Sequence, residues 1–248
     1  CGLCGFVRAA LPPSFHAEFL YGEDYNYGRG CDDSALIPEA RDPEPAFVAR
    51  RQYWLALLAA EVGGPGRLLD IGCGAGALLD VAQEQGWDGV GQEISHVAAA
   101  EARVHGHPVV VGELSEDRFA DWFDAATMIE VIEHIPDPRP TLTAARGLIR
   151  EGGALLVTTG DLGSARARLQ GVRWHYIRPP LHVSYYTRET MKRLLLTCGF
   201  SRVAFAPTFN LAFPSLPIVG APTRPLLRRT ARLVRRLSRS EMCVLAIT

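Results

Sequence analysis

The stretch Leu68-Leu69-Asp70-Ile71-Gly72-Cys73-Gly74-Ala75-Gly76 runs from an apolar strand into an acid and then into three glycines ahead of a helix. Glycines let a chain turn sharply and let its backbone approach a ligand closely. In open α/β sheets that ligand lies beyond the carboxyl ends of the strands, at the switch point. The spacing narrows the choice of ligand. A dinucleotide fingerprint reads G-x-G-x-x-G and sets a pyrophosphate on the helix N-terminus. Here the spacing is G-x-G-x-G, with Asp70 two residues before the first glycine. A carboxylate there repels a pyrophosphate and suits a ligand with an ammonium group, so a nicotinamide dehydrogenase is disfavoured. The bland reading is a glycine-rich turn without a ligand.

Working outward, Gly89-Val90-Gly91-Gln92-Glu93 is a second short strand that closes on an acid, about 20 residues after the first glycine. An acid in that place can accept both hydroxyls of a ribose. Alone it is also what caps a helix before Ser95. Short apolar runs then alternate with helical stretches. Strands are expected at 67–71, 89–93, 108–111, 123–130, 153–159, 202–207 and 242–248. Helices are expected at 45–62, 75–85, 95–105, 138–150 and 188–198. Such alternation predicts a doubly wound, Rossmann-like α/β fold with a seven-stranded, mostly parallel sheet.

The 248 residues, 48% apolar and 21% charged, are enough for a buried core and exclude a disordered chain. Residues 1–42, rich in Gly, Pro and Tyr, read as an N-terminal extension, and 43–248 as the main domain with an insertion at 208–240. A net charge of −1 offers no global field for nucleic acid or an anionic membrane. No apolar run reaches the ~18 residues a membrane span requires, and no secretory pattern opens the chain as given. The six cysteines are scattered apart from one Cys-x-x-Cys, a usage that points to the cytoplasm. Residues 224–239 carry seven arginines interleaved with leucines, which reads as a basic amphipathic helix. A solvated surface face is its plainer reading; contact with anionic lipid or a phosphorylated ligand is the sharper one.

The motifs together resemble those of the class I S-adenosylmethionine-dependent methyltransferases, and the block from Phe123 to Pro138 is most similar to the ubiquinone-biosynthesis type. The resemblance continues through Leu148–Gly153, Pro179-Pro180-Leu181-His182 and Gly199-Phe200, and so covers roughly residues 45–206 and the last strand. It implies S-adenosylmethionine as cofactor and a last strand antiparallel to the rest. Asp70 would order the glycine loop and help hold the cofactor's ammonium. Gly72, Gly74 and Gly76 would pass beside its methionine part, and Glu93 would bind the ribose. Ile94, Leu114 and Ile129 would sandwich the adenine, with the backbone at Glu113 and Leu114 near its edge. The sulfonium carries an already activated methyl group, so the protein's main contribution is alignment, which can be worth up to ~7–11 kcal/mol.

His134 and His182 are the candidate catalytic bases, each in a loop at the carboxyl edge. Some ubiquinone-type relatives are thought to place a divalent metal on a Glu-x-x-Glu-His pattern. For Glu130, Glu133 and His134 that role is disfavoured against one of organising the loop. Cys1 and Cys4 resemble half of a zinc ribbon, an incomplete site since structural zinc takes four ligands. Three functions follow in order of preference: methyl transfer to oxygen or carbon of a small-molecule acceptor, methylation of RNA, and a binding protein that has lost catalysis. Net charge and the intact acid–glycine–acid set favour the first. Nothing in the sequence specifies the accepting atom or the oligomeric state.

Overall fold

The computed structural model describes residues 5–10, 45–120, 122–208 and 240–248. The expectations for Cys1, Cys4, most of the N-terminal extension and the arginine-rich 224–239 segment lie outside these residues.

Nine strands are present among the described residues: β1 (Val7–Arg8), β2 (Arg67–Ile71), β3 (Asp88–Glu93), β4 (Val109–Val111), β5 (Phe123–Ile129), β6 (Ile149–Gly160), β7 (Ser184–Tyr185), β8 (Arg202–Ala206) and β9 (Glu241–Ile247). The helices are α1 (Pro45–Val62), α2 (Ala77–Glu84), α3 (His96–Val104), α4 (Pro138–Leu148), α5 (Ala165–Gln170) and α6 (Arg188–Thr197). Seven strands form one sheet in the order β4-β3-β2-β5-β6-β9-β8. Pairs β2–β3, β2–β5, β3–β4 and β5–β6 are parallel, and β9 is antiparallel to both β6 and β8. The expected fold class is therefore the observed one.

Side chains alternate across the sheet with period two, so each strand serves two cores. Leu69 and Ile71, Leu155 and Val157, and Met242, Val244 and Ala246 face Leu142 and Ala145 of α4 and Met191 and Leu195 of α6. Leu68, Ala154 and Leu156, and Cys243 and Leu245 face Trp54, Leu55 and Leu58 of α1 and Leu78 and Val81 of α2. The strands are buried on both faces, which is why they read as continuous apolar runs.

Helix starts follow side-chain chemistry. Ser95 accepts from Ala98 N ahead of α3, Asp137 accepts from Arg139 N ahead of α4, and Thr187 and Thr190 form a capping box on α6. Two of the boundaries that differ from expectation have a clear cause. The helix after the glycines begins at Ala77, because Gly76 holds a left-handed φ of 88° as its N-cap. The helix expected at 138–150 ends at Leu148, because Ile149 already pairs with Phe123. Sequence periodicity also gave no sign of α5 or of the small antiparallel pairing of β1 with β7.

The register sets the site. Asp70 on β2 lies beside Gly91 on β3 and Thr127 on β5, so three carboxyl ends meet at one edge. Among the described residues no helix is long and apolar enough to cross a membrane.

Leu69 is fully buried at the centre of this arrangement. Leu69→Ala is expected to lower unfolding free energy by about 2–5 kcal/mol through lost burial and a residual cavity. Urea denaturation with an unchanged m-value is the measurement; a loss under about 1 kcal/mol would mean that this core is loosely packed.

Candidate active site

A cavity of about 600 Å³ opens at the carboxyl edge of β2, β3 and β5. The loop after β2 forms its floor. Gly72 takes a φ of 71°, and a Cβ on it would lie 2.5 Å from Val131 Cγ2. Only glycine fits both conditions. The loop's amides are claimed by the next strand. Gly72 N and Cys73 N donate to the Gln92 carbonyl at 2.8 and 3.0 Å. Gly74 N donates to Glu93 Oε2 at 2.9 Å, and Ser95 N donates to Glu93 Oε1 at 2.8 Å. Gln92 Nε2 donates to Gly112 O at 2.5 Å, fastening the end of β4 to the same frame.

Of the residues expected to meet a cofactor, Asp70, Gly72, Glu93, Ile94, Glu113, Leu114 and Ile129 all line the cavity. Gly74 and Gly76 do not. Gly74 serves the loop through its bond to Glu93, and Gly76 lies against His107, where a Cβ would come within 2.9 Å of Cδ2. Ile94, Leu114 and Ile129 leave apolar surface toward the cavity; Ile94 is 41% exposed. Two residues that sequence reading missed come from α1: Arg51, buried beside Asp70, and Arg50, which lies over the Trp54 ring at 5.0 Å. The signal was an arginine pair on an apolar helix face.

Asp70 accepts a hydrogen bond from Thr127 Oγ1 at 2.7 Å. Burial pushes its carboxyl up to about 7, with the neighbouring Glu93 adding to the effect and Thr127 and Arg51 opposing it. Burial also raises Glu93, against the amides that favour its charged form. A cation placed beside these acids would favour their charged forms.

Glu130, Val131 and His134 also line the cavity. Glu130 holds a left-handed φ of 53°, uncommon for a residue with a side chain. Its backbone N donates to Thr158 O, and its Oε1 accepts from Thr158 Oγ1 at 2.8 Å. Tyr176 places its hydroxyl 2.5 Å from Glu130 Oε2 and 2.5 Å from Glu133 Oε1. Thr159 Oγ1 donates to Glu133 Oε2 at 2.9 Å. Burial is the main cause that pushes Glu130 up to about 8 and Glu133 up to about 7.

The two expected bases part company. His134 reaches the cavity, donating from Nδ1 to Leu181 O at 2.9 Å. His182 does not line it: its ring packs behind His134 at 4.9 Å between centroids, and its Nδ1 donates to Tyr176 O at 2.7 Å. Desolvation lowers His134 to about 4 and His182 to about 3, so both imidazoles are neutral at pH 7. Glu133, His134 and His182 bring one donor atom each within 4.8 Å of one another. Yet both oxygens of Glu133 are engaged by Tyr176 and Thr159, and Glu130 turns to Tyr176. These contacts form a hydrogen-bond network.

Comparison with known proteins agrees with this frame. Residues 47–204 match a family model described as a methyltransferase domain. The chain belongs to that family, and its fold is that of the class I S-adenosylmethionine-dependent methyltransferases. Among curated relatives it is 32% identical over 141 residues to a ubiquinone biosynthesis O-methyltransferase of Bordetella avium, covering 51% of this chain and 58% of the relative. The chain thus spans a little over half that relative's length. A SAM-dependent methyltransferase from Archaeoglobus fulgidus superposes with a TM-score of 0.57 at 20% identity, covering 80% of this chain and 94% of that one. The magnesium protoporphyrin IX methyltransferase of Synechocystis PCC 6803, solved with bound SAH, gives 0.56 at 15% identity, covering 93% and 97%.

The raised Asp70 carboxyl has a consequence for stability. Its folded pKa of about 7 lies above the ordinary 3.8, so between these values the native state keeps a proton that the unfolded state has lost. Stability from this group is full below about 4 and falls as pH rises toward 7. Asp70→Asn, which cannot ionise, is expected to gain on the wild type over that window by on the order of 1–4 kcal/mol. Parallel denaturation curves at pH 5 and pH 8 measure it; a constant difference would show that Asp70 is not held protonated.

Proposed function

We propose that the chain transfers a methyl group from S-adenosylmethionine to oxygen or carbon of a small-molecule acceptor. The observation that carries this reading is one cavity edged by Asp70, Gly72 and Glu93 and walled by Ile94, Leu114 and Ile129. Each part matches a part of the cofactor. Asp70 takes the ammonium, and Arg51 beside it takes the carboxylate of the methionine end. Glu93 presents its remaining lone pairs to the ribose hydroxyls. The three apolar side chains form a slot for a flat base. The bound cofactor supplies an activated methyl on a sulfonium.

The chain's own residues then hold, orient and exclude water. Glu130, Val131 and His134 face the remaining space, where the acceptor would lie. His134 is the imidazole that reaches it, while His182 steadies His134 from behind. The Bordetella relative is a ubiquinone biosynthesis O-methyltransferase, which supports oxygen as the accepting atom. The intact acids and loop speak against an inactive binding protein, and the net charge of −1 against an RNA substrate. A cytosolic location fits the free, buried thiols of Cys73, Cys198 and Cys243.

Calorimetric titration with S-adenosylmethionine tests the reading. Saturable binding at micromolar concentration is expected, and its absence in a folded protein would overturn the assignment. Glu93→Ala should weaken binding about 10- to 100-fold, the worth of one hydrogen bond to a charged group. Arg51→Ala should lose a similar factor with S-adenosylmethionine and less with methylthioadenosine, which lacks the amino-acid end. Equal losses with both ligands would remove Arg51 from that role.

A further inference from the structure

Helix α1 sends two consecutive arginines to the cavity wall, Arg50 and Arg51. Successive side chains on a helix point about 100° apart, so the two diverge. The charge of Arg51 acts on Asp70, which lies on β2, and that of Arg50 acts on Glu130, which follows β5. Arg51 is buried and Arg50 half-buried. In the proposed function Arg51 takes the carboxylate of the cofactor's methionine end. Arg50 has no task in that contact, yet it stands on the same wall as Glu130, Val131 and His134, which face the space for the acceptor.

Two aromatic rings hold Arg50. Phe47 and Trp54 come three residues before it and four after it, which puts all three on one face of α1. The guanidinium carbon lies 5.4 Å from the Phe47 ring centroid and 5.0 Å from that of Trp54. Both distances fall within the ~6 Å reach of cation–π attraction. A guanidinium stacks through its flat faces, while its N–H groups point outward in its plane. Packing on the rings therefore positions the charge without consuming its donors. Nor do the Glu130 oxygens rely on it for hydrogen bonds, since Thr158 donates to Oε1 and Tyr176 to Oε2.

Resting on the proposed methyl transfer, we propose that Arg50 selects the acceptor, an apolar or aromatic molecule carrying one carboxylate that the guanidinium holds. The planar fork of an arginine matches a carboxylate with two parallel N–H···O bonds. The rest of the acceptor meets apolar surface, because Trp54, Val131, Ile135 and Pro136 line the same cavity. The wall also sets how much charge is accepted. Asp70, Glu93, Glu113, Glu130 and Asp137 stand on it too, so a dianion such as a phosphate ester meets like charges around its seat. A single carboxylate is matched by the single guanidinium. It also offsets the positive sulfur of the proposed cofactor, which otherwise shares a partly enclosed cavity with a second cation.

Probe acids test this without the true acceptor. The chain is first saturated with S-adenosylhomocysteine, which occupies Arg51, and is then titrated calorimetrically at pH 7 with benzoate, cinnamate and hexanoate. Each acid is compared with its uncharged amide. At least one acid is expected to bind about 10-fold more tightly than its amide, the worth of a hydrogen bond to a charged group. Arg50→Gln should erase that preference while S-adenosylhomocysteine affinity stays within about 3-fold. Arg50→Lys, which keeps the charge and loses the fork, should retain part of it. If no acid is preferred over its amide by the wild-type protein, the proposal is overturned. It is equally overturned if the preference survives in folded Arg50→Gln, or if only Arg51→Gln removes it. Should Arg50→Gln not fold, a Lys variant with the full wild-type preference would show that the fork is not what selects the acid. Failure of S-adenosylhomocysteine to bind at all would instead overturn the methyl-transfer reading.

Discussion

The Glu93 carboxylate holds two backbone N–H groups that neither strand nor helix can satisfy, those of Gly74 and Ser95. The rest of the site depends on this clasp. A glycine loop with left-handed residues cannot continue a hydrogen-bond ladder, so its buried amides need acceptors from elsewhere. The end of β3 provides them, through the Gln92 carbonyl as well as Glu93. Strand β3 thereby fixes the loop after β2, and the loop fixes where α2 begins. A carboxylate that also faces the cavity thus shapes the loop it would share with a ligand.

A second constraint is electrostatic. Asp70, Glu93, Glu130 and Glu133 crowd one end of the sheet, and burial raises all four. Such a cluster holds together by two means visible in the structure: donors such as Thr127, Thr158, Thr159 and Tyr176, and nearby arginines on α1. The polarity fits a partner that is cationic at its centre and at one end.

The segment between β6 and α6 closes the far side. Val183 N donates to Glu133 O, Ser184 Oγ donates to Ile135 O, and Tyr186 OH donates to Ile132 O. Tyr176 stacks on Trp174 at 5.2 Å and lies 4.5 Å from the His182 ring. The segment between β6 and α6 and the loop after β5 are thus one packed body, and a change at Trp174 would be felt at Glu130.

The sequence alone determined the sheet, because short apolar runs and their glycine-punctuated alternation with helical stretches are local properties of the chain. It also picked out the residues of the cavity edge: Asp70, Gly72, Glu93 and the three apolar wall residues sit at fixed distances from strand ends, and parallel register then brings those ends together. Tertiary structure alone decided the division of labour. Gly74 and Gly76 proved to serve the loop's hydrogen bonding and packing, and His182 came to lie behind His134 and off the cavity wall. Arg51 entered from a helix about 20 residues before the glycines, a distance over which no local pattern carries information. Tyr176 met Glu130 and Glu133 across more than 40 residues. That contact exists only because the segment between β6 and α6 folds back over the sheet edge, and no spacing in the chain encodes the meeting of one phenol with two acids.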